Sequence, residues 1–271
     1  MRLLLAAALA ASFTSAQAQR VVVYRPASEP ANEGKRALVV MLHGCAENAD
    51  DFARGTRMNA AADSLGFVVM YPEQPAAAHP QRCWNWFAPE QFTRGKGEVA
   101  WLAGVIDSVA RIEGIDSSRI SLVGMSAGAA MAANLMVAYR ERFAALVMHS
   151  GIAALAATDV PSALAAMRDG AGDGKALGLA ALAAMGARAR PVPVMLLHGK
   201  DDKLVALSNM TSAAEQWMLV NRGGAMVSAL TLTGVGHAWS GGAADAPFTA
   251  PNGPDATKLI VQFLKQYGAI P

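Results

Sequence analysis

Short runs of mainly apolar residues recur along the chain and show no regular alternation with polar residues. Runs of this kind are typical of strands that are buried on both faces, as in a parallel sheet. The first run is short and β-branched, which favours an edge strand. We therefore predict strands over residues 21–24, 38–42, 67–71, 120–123, 145–148, 194–197 and 226–232.

Segments with apolar residues three and four positions apart lie between these runs, and this spacing predicts helices with one apolar face. The predicted helices cover residues 52–65, 99–112, 127–139, 209–221 and 256–267. Strands and helices alternate, so we expect an α/β fold with a mostly parallel central sheet and helices on both faces. Residues 153–190, rich in Ala, Gly and Met, interrupt this alternation and are expected to form an insertion over the sheet.

Residues 1–18 match an export signal. A basic residue precedes an apolar run over residues 3–11, and Ala-Gln-Ala at residues 16–18 fits the small-x-small pattern of a cleavage site. We expect cleavage after Ala18, which leaves residues 19–271 as a single α/β domain of a secreted or periplasmic protein. The apolar run is too short to span a bilayer, so we expect no stable membrane insertion.

The charge of the chain argues against binding to nucleic acid or to an anionic membrane, and its cysteine content favours one disulfide. The chain carries 23 Lys and Arg residues against 21 Asp and Glu residues, a formal net charge of +2. A chain so close to neutral gives no electrostatic reason to expect binding of nucleic acid or of an anionic membrane. The two cysteines, Cys45 and Cys83, favour one disulfide in an exported protein, and two separate buried thiols are the alternative.

The strongest chemical motif is Gly124-Met125-Ser126-Ala127-Gly128, which follows a predicted strand and opens a predicted helix. This pattern is that of a nucleophile elbow, the tight turn that exposes a serine hydroxyl above the sheet in the α/β-hydrolase fold. A serine hydroxyl is a poor nucleophile at neutral pH, so it needs a base, and the base needs a carboxylate to orient it. In this fold, the acid and then the histidine follow the serine along the chain.

Both partners follow Ser126 in that order. Asp202 lies after a predicted strand in the spacing H-G-x-x-D-x-x-V, which is familiar from hydrolases and which Asp201 does not satisfy. His237 follows the last predicted strand and is the expected base. A metal site on His198 and the two aspartates is an alternative, but nothing nearby completes a ligand set. We therefore predict a Ser126–Asp202–His237 triad that uses no metal and no cofactor.

Two backbone N–H groups should face the oxyanion that forms during acyl transfer. One is expected from Ala127, and the other from Cys45 in the loop after the strand over residues 38–42. Gly44 permits the unusual backbone geometry that such a loop needs. The remaining histidines are expected to be structural (His43, His149 and His198) or exposed (His79).

Five segments, in order along residues 21–263, resemble the poly(3-hydroxybutyrate) depolymerase family of esterases. They are Leu42-His43-Gly44-Cys45, Tyr71-Pro72-Glu73-Gln74, Cys83-Trp84-Asn85-Trp86-Phe87, Gly124-Met125-Ser126-Ala127-Gly128 and Gly236-His237-Ala238-Trp239-Ser240-Gly241-Gly242. The resemblance implies an α/β-hydrolase catalytic domain and a bridge between Cys45 and Cys83. It also implies aromatic side chains beside the serine, for which Trp84, Trp86 and Trp239 are the candidates.

The chain departs from the family pattern at several points. Ala46-Glu47 follows Cys45 where the family often has Thr-Gln, and Met58 stands where a tryptophan is common. Secreted depolymerases of solid polyester usually append a linker and a substrate-binding domain, whereas this sequence ends at Pro271. We therefore expect faster turnover of soluble ester oligomers than of crystalline polyester.

The expected function is that of a secreted serine esterase that forms an acyl-enzyme, acting on 3-hydroxybutyrate oligomers or polyester. Feruloyl and acetylxylan esterases share much of the pattern, so a carbohydrate-linked ester is the alternative substrate. A non-catalytic binding module on the same scaffold is a third possibility. Loss of a triad residue would favour that module, and the sequence keeps all three.

Overall fold

The computed structural model of the protein describes residues 19–27, 35–222 and 226–271. The predicted export signal over residues 1–18 lies outside the described residues. Within the three described ranges, we find no helix that is both long enough and apolar enough to cross a membrane.

A seven-stranded sheet with the order β1-β3-β2-β4-β5-β6-β7 forms the centre of the fold. Its strands are β1 (Val21–Tyr24), β2 (Arg36–Leu42), β3 (Val68–Pro72), β4 (Ile115–Met125), β5 (Ala145–His149), β6 (Val194–Gly199) and β7 (Val227–Leu232). β1 pairs antiparallel with β3, and every other neighbouring pair is parallel. The structure thus confirms the mostly parallel sheet and the edge position of β1.

Helices connect the strands. They are α1 (Ala49–Thr56), α2 (Met58–Leu65), α3 (Gly97–Ile112), α4 (Ala127–Ala138), α5 (Val160–Asp169), α6 (Gly174–Met185), α7 (Ser208–Val220) and α8 (Ala256–Gln266), with short 3₁₀ helices at Pro89–Phe92, Arg140–Arg142 and Gly186–Arg188. Two-residue strands β8 (Trp239–Ser240) and β9 (Thr249–Ala250) pair in a separate small sheet. Their pairing was not predicted, because two residues are too few to show a periodicity.

Alternate residues of the central strands enter two different cores. In β2, Val40 and Leu42 face one core, whereas Val39 and Met41 face the other. The first core also holds residues of α3 to α7, and the second holds residues of α1, α2 and α8. The helices therefore cover both faces of the sheet, as predicted.

The prediction of a single helix over residues 52–65 is wrong, because the structure has two helices there. Arg57 separates α1 from α2 with a left-handed backbone (φ 55°). Its backbone N–H closes α1 on Arg54 O, and its guanidinium donates to Gly241 O. The apolar spacing continues across this one residue, so periodicity could not locate the break.

Residues 153–190 fold into helices α5 and α6. Helix α6 approaches α7 so closely that a Cβ at Gly174 would lie 2.2 Å from Ser212 O. Gln216 of α7 fixes the start of the segment, since its side-chain amide exchanges two hydrogen bonds of 2.9 Å with the backbone of Ala154. Gly174 and Gly178 therefore allow α6 to pack closely on α7.

Candidate active site

Ser126 lies at the turn between β4 and α4, near the carboxyl ends of the central strands. Its backbone has a positive φ of 55°, a strained conformation that the surrounding structure must hold. A Cβ at Gly124 would lie 2.4 Å from Gly128 O, and one at Gly128 would lie 2.1 Å from Leu42 O. Both glycines of the motif are therefore needed for the backbone to pass this closely.

His237 joins Ser126 to Asp202. Its Nε2 lies 2.9 Å from Ser126 Oγ, and its Nδ1 lies 2.8 Å from Asp202 Oδ2. The loop after β7 carries His237, and the loop after β6 carries Asp202, so three separate elements converge at one point. The structure thus brings together the three residues that the sequence singled out.

Asp202 is buried and held by backbone donors. Its Oδ1 accepts the N–H groups of Leu204 and Val205, both at 2.9 Å. Burial alone would raise the pKa of Asp202, but the hydrogen bonds from His237 and from the two N–H groups outweigh burial and hold the pKa below its usual value. Asp201, by contrast, has an exposed side chain.

His198 supports the Asp202 loop from below. Its Nε2 lies 2.9 Å from Val205 O and 3.5 Å from Asp202 Oδ2. Burial lowers its pKa, so the ring is neutral near pH 7 and can donate from Nε2 to Val205 O. This arrangement agrees with the structural role expected for His198.

The two expected oxyanion donors lie beside Ser126. Cys45 and Ala127 both line the same cavity as the serine, and neither backbone N–H has an acceptor among the described residues. Both N–H groups are therefore free to donate a hydrogen bond to a substrate oxygen.

His43 fixes the direction of the Cys45 N–H. Gln74 N–H donates to His43 Nε2 at 3.1 Å, so the ring proton is on Nδ1, which lies 2.7 Å from Gly44 O. Gly44 O and Cys45 N–H belong to the same peptide group, so the bond to one orients the other. Burial lowers the pKa of His43 to about 4, which keeps the ring neutral at physiological pH.

A disulfide between Cys45 and Cys83 ties this loop to the aromatic segment, which confirms the predicted bridge. Two hydrogen bonds reinforce it: Ala46 N–H donates to Gln81 O, and Trp84 Nε1–H donates to His43 O at 3.1 Å. The loop that carries Cys45 is thus joined to one wall of the cavity by a covalent bond and two hydrogen bonds.

Ser126 opens into a cavity of about 420 Å³. Trp84, Trp86 and Phe87 line it together with apolar side chains of α5. Two of the three predicted tryptophans therefore reach the cavity, although Trp84 is itself fully buried.

Trp239 does not line the cavity. Its ring stacks on His149 at 5.2 Å and meets the edge of Phe52, and its Nε1–H donates to Thr257 Oγ1 at 3.1 Å. The strand pairing of β8 turns this side chain into the core. Trp239 therefore supports the histidine loop from within and is not placed to touch a substrate.

Several cavity residues were missed by the sequence analysis or assigned differently. His79 was expected to be exposed, but it is half-buried and lines the cavity. Val160, Leu164, Leu204 and Phe248 lie at the cavity and are among the exposed large hydrophobic residues. An Asp-Val-Pro start of α5 was a visible helix signal within residues 153–190. Nothing in the sequence placed that helix at the serine.

Comparison with known proteins gives a family and a fold. The model of the family described as esterase PHB depolymerase matches residues 21–235. The poly(3-hydroxyalkanoate) depolymerase C of Paucimonas lemoignei is 32% identical over 194 residues, which cover 71% of this chain and 46% of that protein. Feruloyl esterase B of Neurospora crassa is 34% identical over 121 residues, 44% of this chain and 40% of that protein. The chain thus spans less than half the length of either relative.

Among solved structures, the acetyl xylan esterase from Aspergillus awamori matches with a TM-score of 0.73 at 19% identity, covering 92% of this chain and 93% of that one. At this identity the likeness shows the fold, which is that of an α/β-hydrolase. The family match extends over well more than half of the residues, and it includes Ser126 and Asp202. The chain therefore belongs to the esterase PHB depolymerase family.

Proposed function

We propose that the chain is a serine ester hydrolase in which Ser126 is the nucleophile, His237 the base and Asp202 the residue that orients the base. The observation that carries this proposal is the unbroken hydrogen-bond chain from Ser126 Oγ through both ring nitrogens of His237 to Asp202 Oδ2. Ser126, at one end of this series of hydrogen bonds, lines the cavity, where a substrate can reach it. A non-catalytic binding module would have no need for three aligned polar side chains.

The geometry supports acyl transfer in two steps. Asp202 accepts Nδ1–H of His237, which leaves Nε2 free to take the Ser126 proton as Oγ attacks the ester carbonyl carbon. The N–H groups of Cys45 and Ala127 donate to the oxyanion. His237 then returns the proton to the leaving alcohol, and water attacks the acyl-enzyme by the same route.

The character of the cavity favours an apolar acyl group. Its walls are mainly aromatic and aliphatic, and exposed Val160, Leu164, Leu204 and Phe248 extend the apolar surface outward. Such a site gains affinity by burying apolar substrate surface. Oligomers of 3-hydroxybutyrate carry a methyl group on every unit and suit it. The similarity to a poly(3-hydroxyalkanoate) depolymerase supports this substrate class.

An aromatic ester of a carbohydrate is the second candidate. Trp86 and Phe87, whose rings meet edge to face at 5.9 Å in the cavity wall, offer a surface on which a feruloyl ring can stack. The similarity to a feruloyl esterase supports the same reading.

We also propose that residues 19–271 are one catalytic domain, in which residues 153–190 form an insertion that supplies one wall of the cavity. Four residues of α5 line the cavity and support this role: Val160, Ala163, Leu164 and Met167. Export to an oxidising compartment by cleavage after Ala18 is part of the proposal, and the Cys45–Cys83 disulfide supports it.

The test is a hydrolysis panel of short aryl esters, 3-hydroxybutyrate oligomers, solid polyester and feruloyl esters, run with wild type and Ser126→Ala. We expect the highest kcat/KM on the oligomers and a loss of kcat of about 10⁶ in the variant. A higher kcat/KM on feruloyl esters would favour the second candidate. Equal rates for wild type and Ser126→Ala would refute the serine mechanism.

A further inference from the structure

We propose that Glu47 is a positioning residue of the oxyanion site and that it acts as an uncharged carboxylic acid, an inference that rests on the proposed function. Glu47 lies in the loop between β2 and α1, is only 3% exposed and lines the cavity with Ser126. Its Oε2 accepts the N–H of Gly44 at 2.8 Å. The carboxyl group thus holds the residue that immediately precedes the oxyanion donor Cys45.

Glu47 and His43 hold Gly44 from its two sides. Glu47 accepts the glycine N–H, and His43 Nδ1–H donates to the glycine carbonyl oxygen at 2.7 Å. Because glycine has no side chain to restrict its torsions, these bonds must fix the orientation of the following peptide group. That peptide group carries the Cys45 N–H. Removal of the Glu47 acceptor would leave this direction to the His43 bond and to the disulfide at Cys45.

The charge of Glu47 matters because its carboxyl group lies close to Ser126, with only Gly44 between them. A Cβ built on Gly44 would lie 3.0 Å from Glu47 Oε2 and 3.5 Å from Ser126 Cβ. A carboxylate at this position would oppose the negative charge that develops on the substrate oxygen. A protonated carboxyl keeps the hydrogen bond to Gly44 and removes that opposition.

The surroundings of Glu47 favour the protonated form. Burial raises its pKa to about 8, against the lowering effect of the Gly44 N–H, and the carboxylate of Asp51 on α1 raises it further. The other titratable groups near it are His43 beneath the loop and His79 and His237 in the same cavity. Glu47 therefore ionises on the alkaline side of neutrality.

The test compares wild type with two Glu47 variants and one control variant across the pH range on both sides of 8. The substrate is a short aryl ester, and Ser126→Ala is the blank for spontaneous hydrolysis. Glu47→Gln keeps an acceptor for Gly44 N–H but has no charge, whereas Glu47→Met has neither. Asp50→Asn is the matched control, because Asp50 is an exposed carboxylate on α1 that pairs with Arg20 outside the cavity.

We expect the kcat of wild type to fall about tenfold above pH 8. Glu47→Gln should keep its rate over this range, and Asp50→Asn should follow wild type. Glu47→Met should lose about tenfold in kcat at every pH with little change in KM, since a misdirected donor costs less than an absent one.

A wild-type profile without an alkaline fall would overturn the inference whether or not the variants fold, and so would an alkaline fall that persists in Glu47→Gln. Either result would be seen on a background of Ser126-dependent activity. Failure of the proposed function would instead show as equal rates for wild type and Ser126→Ala.

Discussion

Two loops of the molecule share a sequence pattern and differ in charge. Leu42-His43-Gly44 lies at the carboxyl end of β2, and Leu197-His198-Gly199 lies at the carboxyl end of β6. In each loop a carboxyl residue follows the histidine by four positions: Glu47 in the first and Asp202 in the second. Each histidine is buried and neutral, and each ring lies within hydrogen-bond distance of a backbone carbonyl oxygen of its own loop.

The two carboxyl groups differ in the donors that face them. Asp202 accepts two backbone N–H groups and His237 Nδ1–H, whereas Glu47 accepts the single N–H of Gly44. Burial raises the pKa of both groups, but only around Asp202 are the donors sufficient to reverse it. The same spacing after a strand therefore yields an anion in one loop and a neutral acid in the other, and the local count of donors decides which.

Among the predicted effects on kcat, replacement of Asp202, the charged one of the two carboxyl residues, should be the largest. Asp202→Asn removes the acceptor of His237 Nδ1–H, so we expect kcat to fall by about 10⁴ through loss of the correct imidazole tautomer. Asp201→Asn is the matched control: its side chain is exposed, and its rate should stay near that of wild type. Steady-state kinetics on a short aryl ester measure both. A reversal of the two results would assign the acid role to Asp201.

The second prediction concerns the disulfide that anchors the loop of Cys45. The loop of Asp202 has no such bridge among the described residues. Cys83→Ser and Cys45→Ser both keep the Cys45 N–H but release its tether. We expect kcat to fall about tenfold, less than the 10²–10³ typical of a lost oxyanion donor. Loss of the bridge across 38 positions should also lower the unfolding free energy by up to about 4 kcal/mol.

These effects on rate and on stability can be separated by temperature. Thermal melts of both cysteine variants give the range in which each is folded, and kinetics are then measured well below it. Full activity in both variants under those conditions would mean that the hydrogen bonds of His43 and Glu47 suffice to hold the loop.

The strands and the position of Asp202 were predictable because the sequence patterns that indicate them are local. Strands β5 and β6 are continuous apolar runs, and Asp202 is separated from Asp201 by its spacing to His198 and Val205. Other features depend on contacts between distant segments. Trp239 follows His237 by two positions in the sequence, yet the pairing of β8 with β9 turns it toward Thr257.

The protonation state of Glu47 also depends on contacts between distant segments. In the sequence, Glu47 is only a departure from a family pattern, and nothing there indicates that its carboxyl group is protonated. Its protonation depends on its burial beside the cavity and on the absence of further donors among the described residues. Both conditions arise from tertiary packing, so no local pattern could reveal them.

The last and smallest predicted effect is on how stability depends on pH, and the two carboxyl groups should act with opposite signs. The folded-state pKa of Glu47 lies above its unfolded value of about 4.5, so the folded protein binds more protons than the unfolded chain between 4.5 and about 8. Stability from Glu47 is therefore complete below pH 4.5 and is lost as pH rises toward 8. The folded-state pKa of Asp202 lies below its usual 3.8, so its contribution is present above pH 3.8 and is lost as pH falls through the folded value.

Urea denaturation of wild type, Glu47→Gln and Asp202→Asn at a series of pH values measures both contributions. Relative to wild type, Glu47→Gln should become progressively more stable as pH rises from 4.5 to 8, because the variant has no proton to lose. The stability advantage of wild type over Asp202→Asn should instead shrink only below pH 3.8. A difference between wild type and Glu47→Gln that stays constant with pH would show that Glu47 is already ionised in the folded protein. The contrast between the two loops would then lie in their geometry alone and not in their charge.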